Sequence, residues 1–382
     1  MYKGGWVQKI DPETGLLVWH SQLPDLTSIH TVAWLVVSKN VVYVAAEKNL
    51  FALQTSDGTE LWHVRLNAST ISIGPIIQND VLYLPLSKAS NSSLLEAFTL
   101  SNGRPLWQYA VPDEFLSFQV LGTVVYGAFD TFQGTSGSKV VYYLFAVHVA
   151  DGSQIWKVLT PAITGGQIAV ANGYIYVGET TMPQTGLAYQ SSVYAYRASN
   201  GTLFWHSSPL RLAFPSAFVV QNTLYIVSGV GLGALDLQDG HVLWQYTGTA
   251  SLAILPNESP YPNVFSSPVV EDGTLFAIIV DGTSGNAILE LNARDGTLIA
   301  SHSIENFNAV TATVSQQGSG TSGKTALLGI GFSELASYTL SRDTSYVITT
   351  GGSLDALSNQ TGSRLWSVKL DGPAVVSTII LA

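Results

Sequence analysis

The chain has 382 residues, 16 Lys and Arg against 26 Asp and Glu for a net charge of −10, and no cysteine. The missing thiols exclude disulfides, thiolate metal sites and cysteine nucleophiles, and an acidic balance with no basic cluster disfavours a nucleic-acid partner. Only 11% of the residues are charged, yet no apolar run of about 18 residues occurs, so no transmembrane helix is expected.

The apolar residues come instead as short alternating stretches rich in Val, Ile, Tyr, Phe and Trp, the mark of strands. The opening residues 1–6 lack the apolar core of a signal peptide, so none is expected in this chain. Residues 6–11 and 16–23 then read as two strands around Thr14-Gly15. From there a unit repeats along the chain: Ala, six residues on a Gly preceded by Asp, Asn or Thr, and four residues on a Trp. The glycines are Gly15, Gly58, Gly103, Gly152, Gly201, Gly240, Gly296 and Gly362. The tryptophans are Trp19, Trp62, Trp107, Trp156, Trp205, Trp244 and Trp366, with Ala300 in the seventh place. The small residue is Ala52, Ala97, Ala146, Ala195, Ala234 and Ala356, with Lys9 and Glu290 as departures.

Asp-Gly and Asn-Gly supply the positive-φ residues of tight hairpins, so each unit carries a hairpin between strands C and D. Upstream lies an apolar strand B centred on Tyr43, Tyr83, Tyr126, Tyr176, Tyr225, Phe276 or Tyr346. A short polar turn and a strand A precede it. Four antiparallel strands of this kind make one propeller blade. The expected fold is an all-β, eight-bladed β-propeller with strand A innermost, forming a single domain over residues 1–382. The blades are expected near 31–66, 70–111, 115–160, 163–209, 213–247, 263–304 and 307–370. The closing blade combines 1–24 with 371–382 and lacks its strand B.

This Ala–Gly–Trp register resembles the tryptophan-docking motif of the pyrroloquinoline-quinone-like (PQQ-like) repeat family of eight-bladed propellers. The resemblance implies that each motif Trp packs on the neighbouring blade near its Gly peptide. It also brings quinoprotein dehydrogenases into view, which hold PQQ and Ca²⁺ in a central channel. Here the cysteines of those enzymes are absent, and Trp6 and Trp34 are the only tryptophans outside the motif. Both read as core or rim packing. No cofactor is therefore expected, and PQQ with Ca²⁺ is disfavoured.

Other chemistry is equally thin. The seven histidines show no ligand spacing, and His20, His63 and His206 merely share the place after a motif Trp. Residues 281–286 read as a B–C hairpin rather than a cation loop. The glycine-rich run 229–233 reads as lying between strands, with no helix to complete a phosphate site. No catalytic or metal residue is named.

Length variation points elsewhere. Gly to Trp is invariant, whereas the intervals holding the B–C and D–A loops vary, with insertions at 130–139, 179–192 and 250–264. Residues 309–314 and 325–332 suggest an extra hairpin. In an antiparallel blade the B–C and D–A loops share one end, and variable loops on a rigid scaffold are where binding usually sits. Glu47, Lys48, Asp130, Phe132, Glu179, Met182, Tyr189, Tyr261 and Asp281 are the candidate contacts, beside a stiff Pro-rich stretch at 255–262. The expected function is a non-catalytic scaffold or a ligand- or protein-binding module. It is expected to be a monomeric, extracytoplasmic part of a bacterial envelope or surface protein. The alternative is a partial or degenerate quinoprotein dehydrogenase.

Overall fold

The computed structural model describes residues 5–26, 33–71, 73–88, 92–133, 139–161, 168–181, 190–210, 216–228, 231–246, 263–265, 269–281, 286–304, 338–340, 344–348, 353–358, 361 and 363–369. Every regular element among them is a strand, and the strands form eight sheets. In chain order the first sheet is β1 (Gly5–Ile10) with β2 (Leu17–Leu23). The second is β3 (Ala33–Ser38), β4 (Val41–Ala46), β5 (Asn49–Gln54) and β6 (Glu60–Arg65). The third has β7 (Ser69–Thr70), β8 (Ile76–Gln78), β9 (Val81–Lys88), β10 (Ser92–Thr99) and β11 (Pro105–Val111). The fourth is β12 (Phe115–Leu121), β13 (Val124–Gln133), β14 (Lys139–His148) and β15 (Gln154–Thr160). The fifth is β16 (Ala169–Ala171), β17 (Tyr174–Thr181), β18 (Gln190–Arg197) and β19 (Leu203–His206). The sixth is β20 (Ser216–Val220), β21 (Thr223–Ser228), β22 (Gly231–Asp236) and β23 (Val242–Tyr246). The seventh has β24 (Asn263–Phe265), β25 (Val269–Glu271), β26 (Thr274–Asp281), β27 (Asn286–Asn292) and β28 (Leu298–Ile304). The eighth is β29 (Tyr338–Leu340), β30 (Thr344–Ile348), β31 (Ser353–Ser358) and β32 (Arg364–Lys369).

Each full sheet runs A–B–C–D in chain order. In the third and seventh, two short strands share the A position and pair with the same neighbour. In the third sheet Pro75 stands immediately before the second piece, where its missing N–H interrupts the ladder. The expected extra hairpin, the closing strand at 373–382 and Gly362 lie outside the described residues. One local reading is corrected: Gly231 to Gly233 do not lie between strands but inside β22, where Gly233 pairs with Ile226.

The repeat acquires a physical cause in the strand register. Tyr43 of strand B lies opposite Ala52 of strand C, which lies opposite Trp62 of strand D. The same row recurs as Tyr126–Ala146–Trp156, Tyr176–Ala195–Trp205, Tyr225–Ala234–Trp244 and Tyr346–Ala356–Trp366. The Tyr and Trp rings meet above the alanine, with centroids 5.7 to 6.3 Å apart where the pairs are resolved. A larger side chain in the middle would separate them, so the alanines are fully buried. The two departures fit this account. Glu290 lies opposite Phe276 in the sheet that has Ala300 instead of Trp. Lys9 lies opposite Trp19 in a sheet whose described part has no strand B, and its ammonium reaches Thr55 O at 3.1 Å.

The chain divides into two compact units, residues 111–301 and the flanking 1–110 with 302–382. Within the flanking unit, Trp366 Nε1 donates to Pro12 O, Trp19 to Thr55 O and Trp62 to Leu100 O, at 2.9 to 3.1 Å. Within the central unit, Trp156 donates to Ala198 O, Trp205 to Leu237 O and Trp244 to Ala293 O, at 3.0 to 3.1 Å. The accepting carbonyl always lies three residues before the next motif Gly. The ring lies on that Gly: a Cβ built on Gly58, Gly201 or Gly240 would stand 2.5 to 2.8 Å from the Trp carbons. These glycines also adopt φ near +70°. Sterics and backbone conformation therefore both demand glycine.

The residue before each Gly closes the turn. Asp57, Asn102, Asp151, Asn200, Asp239 and Asp295 each accept the backbone N–H two residues on, and Thr361 does so with its hydroxyl. These Asx-type bonds explain why Asp, Asn and Thr share the position.

The docking geometry makes Trp156 a load-carrying contact between the fourth and fifth sheets. Trp156→Ala is expected to destabilise the protein by about 3–5 kcal/mol in urea unfolding, as large core truncations do. Gly201→Ala, on the receiving side, is expected to be destabilising despite adding a methyl group; a neutral result would refute the ring-on-glycine account. Hydrogen bonds hold the turn carboxylates below their usual range, from the Thr59 and His241 amides foremost for Asp57 and Asp239, and from the Ser153 and Thr297 hydroxyls foremost for Asp151 and Asp295. A depressed folded pKa gives stability that is complete above the unfolded value of about 3.9 and lost as pH falls through the folded value. The combined variant Asp57→Asn, Asp151→Asn, Asp239→Asn and Asp295→Asn should keep its turns, since Asn102 and Asn200 already serve. Its urea midpoint should fall less between neutral pH and about pH 3. Equal acid sensitivity in both proteins would contradict this.

Candidate functional site

The antiparallel order puts the A–B and C–D turns at one end of each sheet and the B–C and D–A connections at the other. The first end is uniform. Six A–B connections have two residues, at 39–40, 79–80, 122–123, 172–173, 221–222 and 272–273. Positive φ at Lys39, Asn79, Asp80, Asn172, Gln221 and Asp272 matches such tight hairpins.

Hydrogen bonds at the other end join the two kinds of connection directly. In the second sheet Glu47 and Lys48 form the B–C turn, with Glu47 at φ 53°. Glu47 O accepts from Thr70 N at 2.6 Å and Lys48 O from Leu66 N at 2.7 Å. In the fourth sheet Asp130 N donates to Glu114 O at 3.1 Å, and Phe132 N donates to Asp113 Oδ2 at 3.1 Å. In the fifth, Ser191 and Leu210 exchange both backbone bonds, at 2.9 and 2.6 Å. In the seventh, Asn263 of β24 pairs with Asp281 of β26. The candidate residues thus fall at one end within their own sheets.

Their local setting differs from the expected loops. Asp130 and Phe132 lie in β13, Glu179 in β17 and Asp281 at the end of β26, because the ladders run on past the point where polar residues begin. Met182, Tyr189 and Tyr261 lie outside the described residues. Phe132 is 58% exposed. Asp130 is partly buried, and burial, followed by the charge of Glu114, holds its carboxyl above the usual range. Glu179 accepts from the Tyr194 hydroxyl at 2.6 Å. Burial and that bond push Tyr194 up to about 12. Asp113 is the residue that sequence reasoning missed: it takes both the Thr131 hydroxyl and the Phe132 amide. The nearest clue was a Pro-Asp-Glu cluster between two apolar stretches.

No set of groups suited to acid–base chemistry is assembled at this end among the described residues. One cluster with metal-ligand atoms within 4.8 Å, Asp236, Asp239 and His241, belongs to a C–D turn at the opposite end. Its carboxylates cap that turn, Asp236 accepting from Gln238 N and Asp239 from His241 N and Nδ1. The two tryptophans outside the motif are both engaged. Trp34 is buried, donates to Ile71 O at 2.8 Å and lies on Gly74 as the motif tryptophans lie on theirs. Trp6 is tilted against His20 at 5.1 Å. Trp34, buried and bonded in this way, offers the PQQ ring no open face.

The chain has recognisable relatives. A family model described as outer membrane protein assembly factor BamB matches residues 3–144 and 143–325. The BamB of Shewanella oneidensis is 26% identical over 225 residues, covering 56% of this chain and 52% of that protein. The match thus spans about half the length of that relative. The BamB of Yersinia pestis is 22% identical over 333 residues, covering 81% of this chain and 75% of that protein. Among solved structures, BamB from Moraxella catarrhalis aligns over 91% of this chain and 89% of its own, with TM-score 0.55 and 14% identity. A quinohemoprotein alcohol dehydrogenase from Comamonas testosteroni aligns over 91% and 68%, with TM-score 0.58 and 12% identity. At such identities the structural likenesses establish the fold alone. The chain belongs to the family described as outer membrane protein assembly factor BamB, an all-β propeller family built of PQQ-like repeats.

Proposed function

We propose that this chain is a non-catalytic propeller scaffold of the bacterial envelope that binds another protein through the B–C and D–A end of its sheets. The observation that carries the reading is the asymmetry between the two ends. At the A–B and C–D end, short turns are consumed by capping and docking bonds. At the other end, strand lengths and connections vary, and Phe132 stands exposed on a braced hairpin. Variable elements on a fixed frame are the usual carriers of recognition. The relatives' description as assembly factors agrees with a protein partner and with an extracytoplasmic location. No helix among the described residues is long and apolar enough to cross a membrane. We further propose that the chain works as a monomer, without nucleic acid and without a bound cofactor.

The test is to replace residues 134–138 and 182–189 by Asn-Gly turns, which the facing pairs Gln133–Lys139 and Thr181–Gln190 can accept. After circular dichroism confirms folding, capture of partners from an envelope extract is compared with that of a variant altered at Lys39 and Asn172. Loss in the first protein only is expected. Undiminished capture by the grafted protein, with loss in the second, would place the binding surface at the wrong end. The quinoprotein alternative is checked by titrating PQQ with Ca²⁺ while following quinone absorbance. No saturable change and no quinone-dependent alcohol oxidation are expected; micromolar binding would overturn that.

A further inference from the structure

We propose that the seam between the fourth and fifth sheets, at their B–C and D–A end, receives a segment of a partner protein that carries a Lys or Arg beside an aliphatic side chain. The inference rests on the binding-end reading above and gives that end a specific element and a partner chemistry.

The element is the hairpin of β13 and β14, each 10 residues long. Its ladder runs seven rows beyond Tyr126, to Gln133 opposite Lys139, whereas in the second sheet it ends three rows beyond Tyr43, at Ala46 opposite Asn49. Strand β12 stops supporting it at the Phe115–Phe129 pair. Past that point the Asp113 carboxylate takes the place of a strand neighbour, accepting from the Thr131 hydroxyl and the Phe132 amide. An overhanging hairpin held in this way is ordered before any partner arrives, which lowers the entropic cost of docking.

The projecting row is apolar. Phe132 and Val140 face each other across the ladder and are 58% and 37% exposed. Two rows below, on the same side, Asp130 lies opposite Tyr142. That side packs on the fifth sheet, because Tyr126, Ala128, Leu144 and Ala146 share one cluster with Ile175, Val177 and Tyr196. Tyr142 from one sheet and Tyr194 from the other pack against this same cluster. Glu179 alternates with Ile175 and Val177 along β17, so it too belongs to the seam, where it holds the Tyr194 hydroxyl.

Among the described residues on this side of the ladder, the charges are of one sign. Asp113, Glu114 and Asp130 crowd the base of the hairpin, and the neighbouring carboxylates oppose ionisation of Asp130. The sheet's Lys157 does not relieve them. Its ammonium lies over the Phe129 and Tyr143 rings at 5.9 and 5.3 Å, in the row that alternates to the other side. A cation entering the seam would gain the attraction of these carboxylates and of the tyrosine faces. An aliphatic neighbour would cover the Phe132–Val140 pair. An acidic or wholly polar segment would gain neither.

The probe is a short fluorescent peptide of alternating Leu and Lys, compared with siblings carrying Glu for Lys or Ser for Leu. Anisotropy is measured on the full chain. The Leu–Lys peptide should bind best. Phe132→Ser should weaken it by about tenfold or more, as loss of a central contact does. So should the pair Asp130→Asn with Glu179→Gln. The pair Asp57→Asn with Asp151→Asn removes the same net charge at the opposite end and should change binding by less than about twofold. Equal losses from the two charge pairs would mean diffuse attraction to an acidic chain, and would overturn the proposal. So would indifference to Phe132→Ser, or equal binding of the Glu peptide. If the peptide is refused while the turn grafts still abolish partner capture, the seam falls and the binding end stands. If the grafts leave capture intact, it is the binding end that falls.

Discussion

The whole repeat hangs on one contact: an indole ring laid on a glycine of the next sheet, with its N–H bonded to a carbonyl three residues before that glycine. The contact is demanding because it has no slack. At Gly58 or Gly240 a methyl group would stand within 2.6 Å of the ring, and the glycine must also adopt positive φ. The tryptophan in turn is aimed by its own sheet, through a tyrosine that meets it across a buried alanine. Tyr, Ala, Trp and Gly are thus four parts of one joint, contributed by strands B, C and D of one sheet and the turn of the next. Changing any one part releases the others, which explains why the departures at Glu290 and Lys9 occur in sheets where the joint is already incomplete.

That joint also decides which end of a sheet is free to vary. The glycine sits in the C–D turn, and its carbonyl partner lies just past the end of strand C. Three hydrogen bonds of that turn serve docking: the Asx cap, the closing bond from the Gly N–H and the incoming indole. Apart from the stretch before β8, where Trp34 docks on Ile71 O and Gly74, the described B–C and D–A connections carry none of these duties. They need only satisfy one another, as Glu47 with Thr70 and Ser191 with Leu210 do. Insertion in a B–C connection leaves the C–D joint undisturbed.

Much of this was legible before any coordinates. The turn glycines, the strand-B aromatics and the seven motif tryptophans read directly from spacing, because a hairpin with fixed geometry leaves a fixed interval. Trp34 did not read that way. It docks on Gly74 as the others dock on theirs, but its strand-A position and unshared spacing hide it from a search for repeats. Antiparallel order alone put Glu47, Asp130, Glu179 and Asp281 at the B–C and D–A end of their own sheets. It could not show that Asp130 and Phe132 remain in the ladder, since pairing beyond Phe129 depends on Asp113, a side-chain bond with no periodic signature.

The polar groups tell the same story about chemistry. A catalytic centre needs acids, bases or donors whose hydrogen-bonding capacity is left open toward a substrate. In this chain the most distinctive polar residues are committed to structure. Asp57, Asp151, Asp239 and Asp295 cap turns, and His63 lies against Phe51 with its Nε2 on Asn49. Tyr43 and Tyr225 point their hydroxyls at the carbonyls that also receive the tryptophans. The variable end presents groups of a different kind: an exposed aromatic ring, an aliphatic neighbour and the Asp130 carboxyl, held above its usual range by burial and then by the charge of Glu114. Those groups gain by being covered. On the proposed reading, an apolar, cationic segment that covers these groups lowers their free energy, whichever partner supplies it.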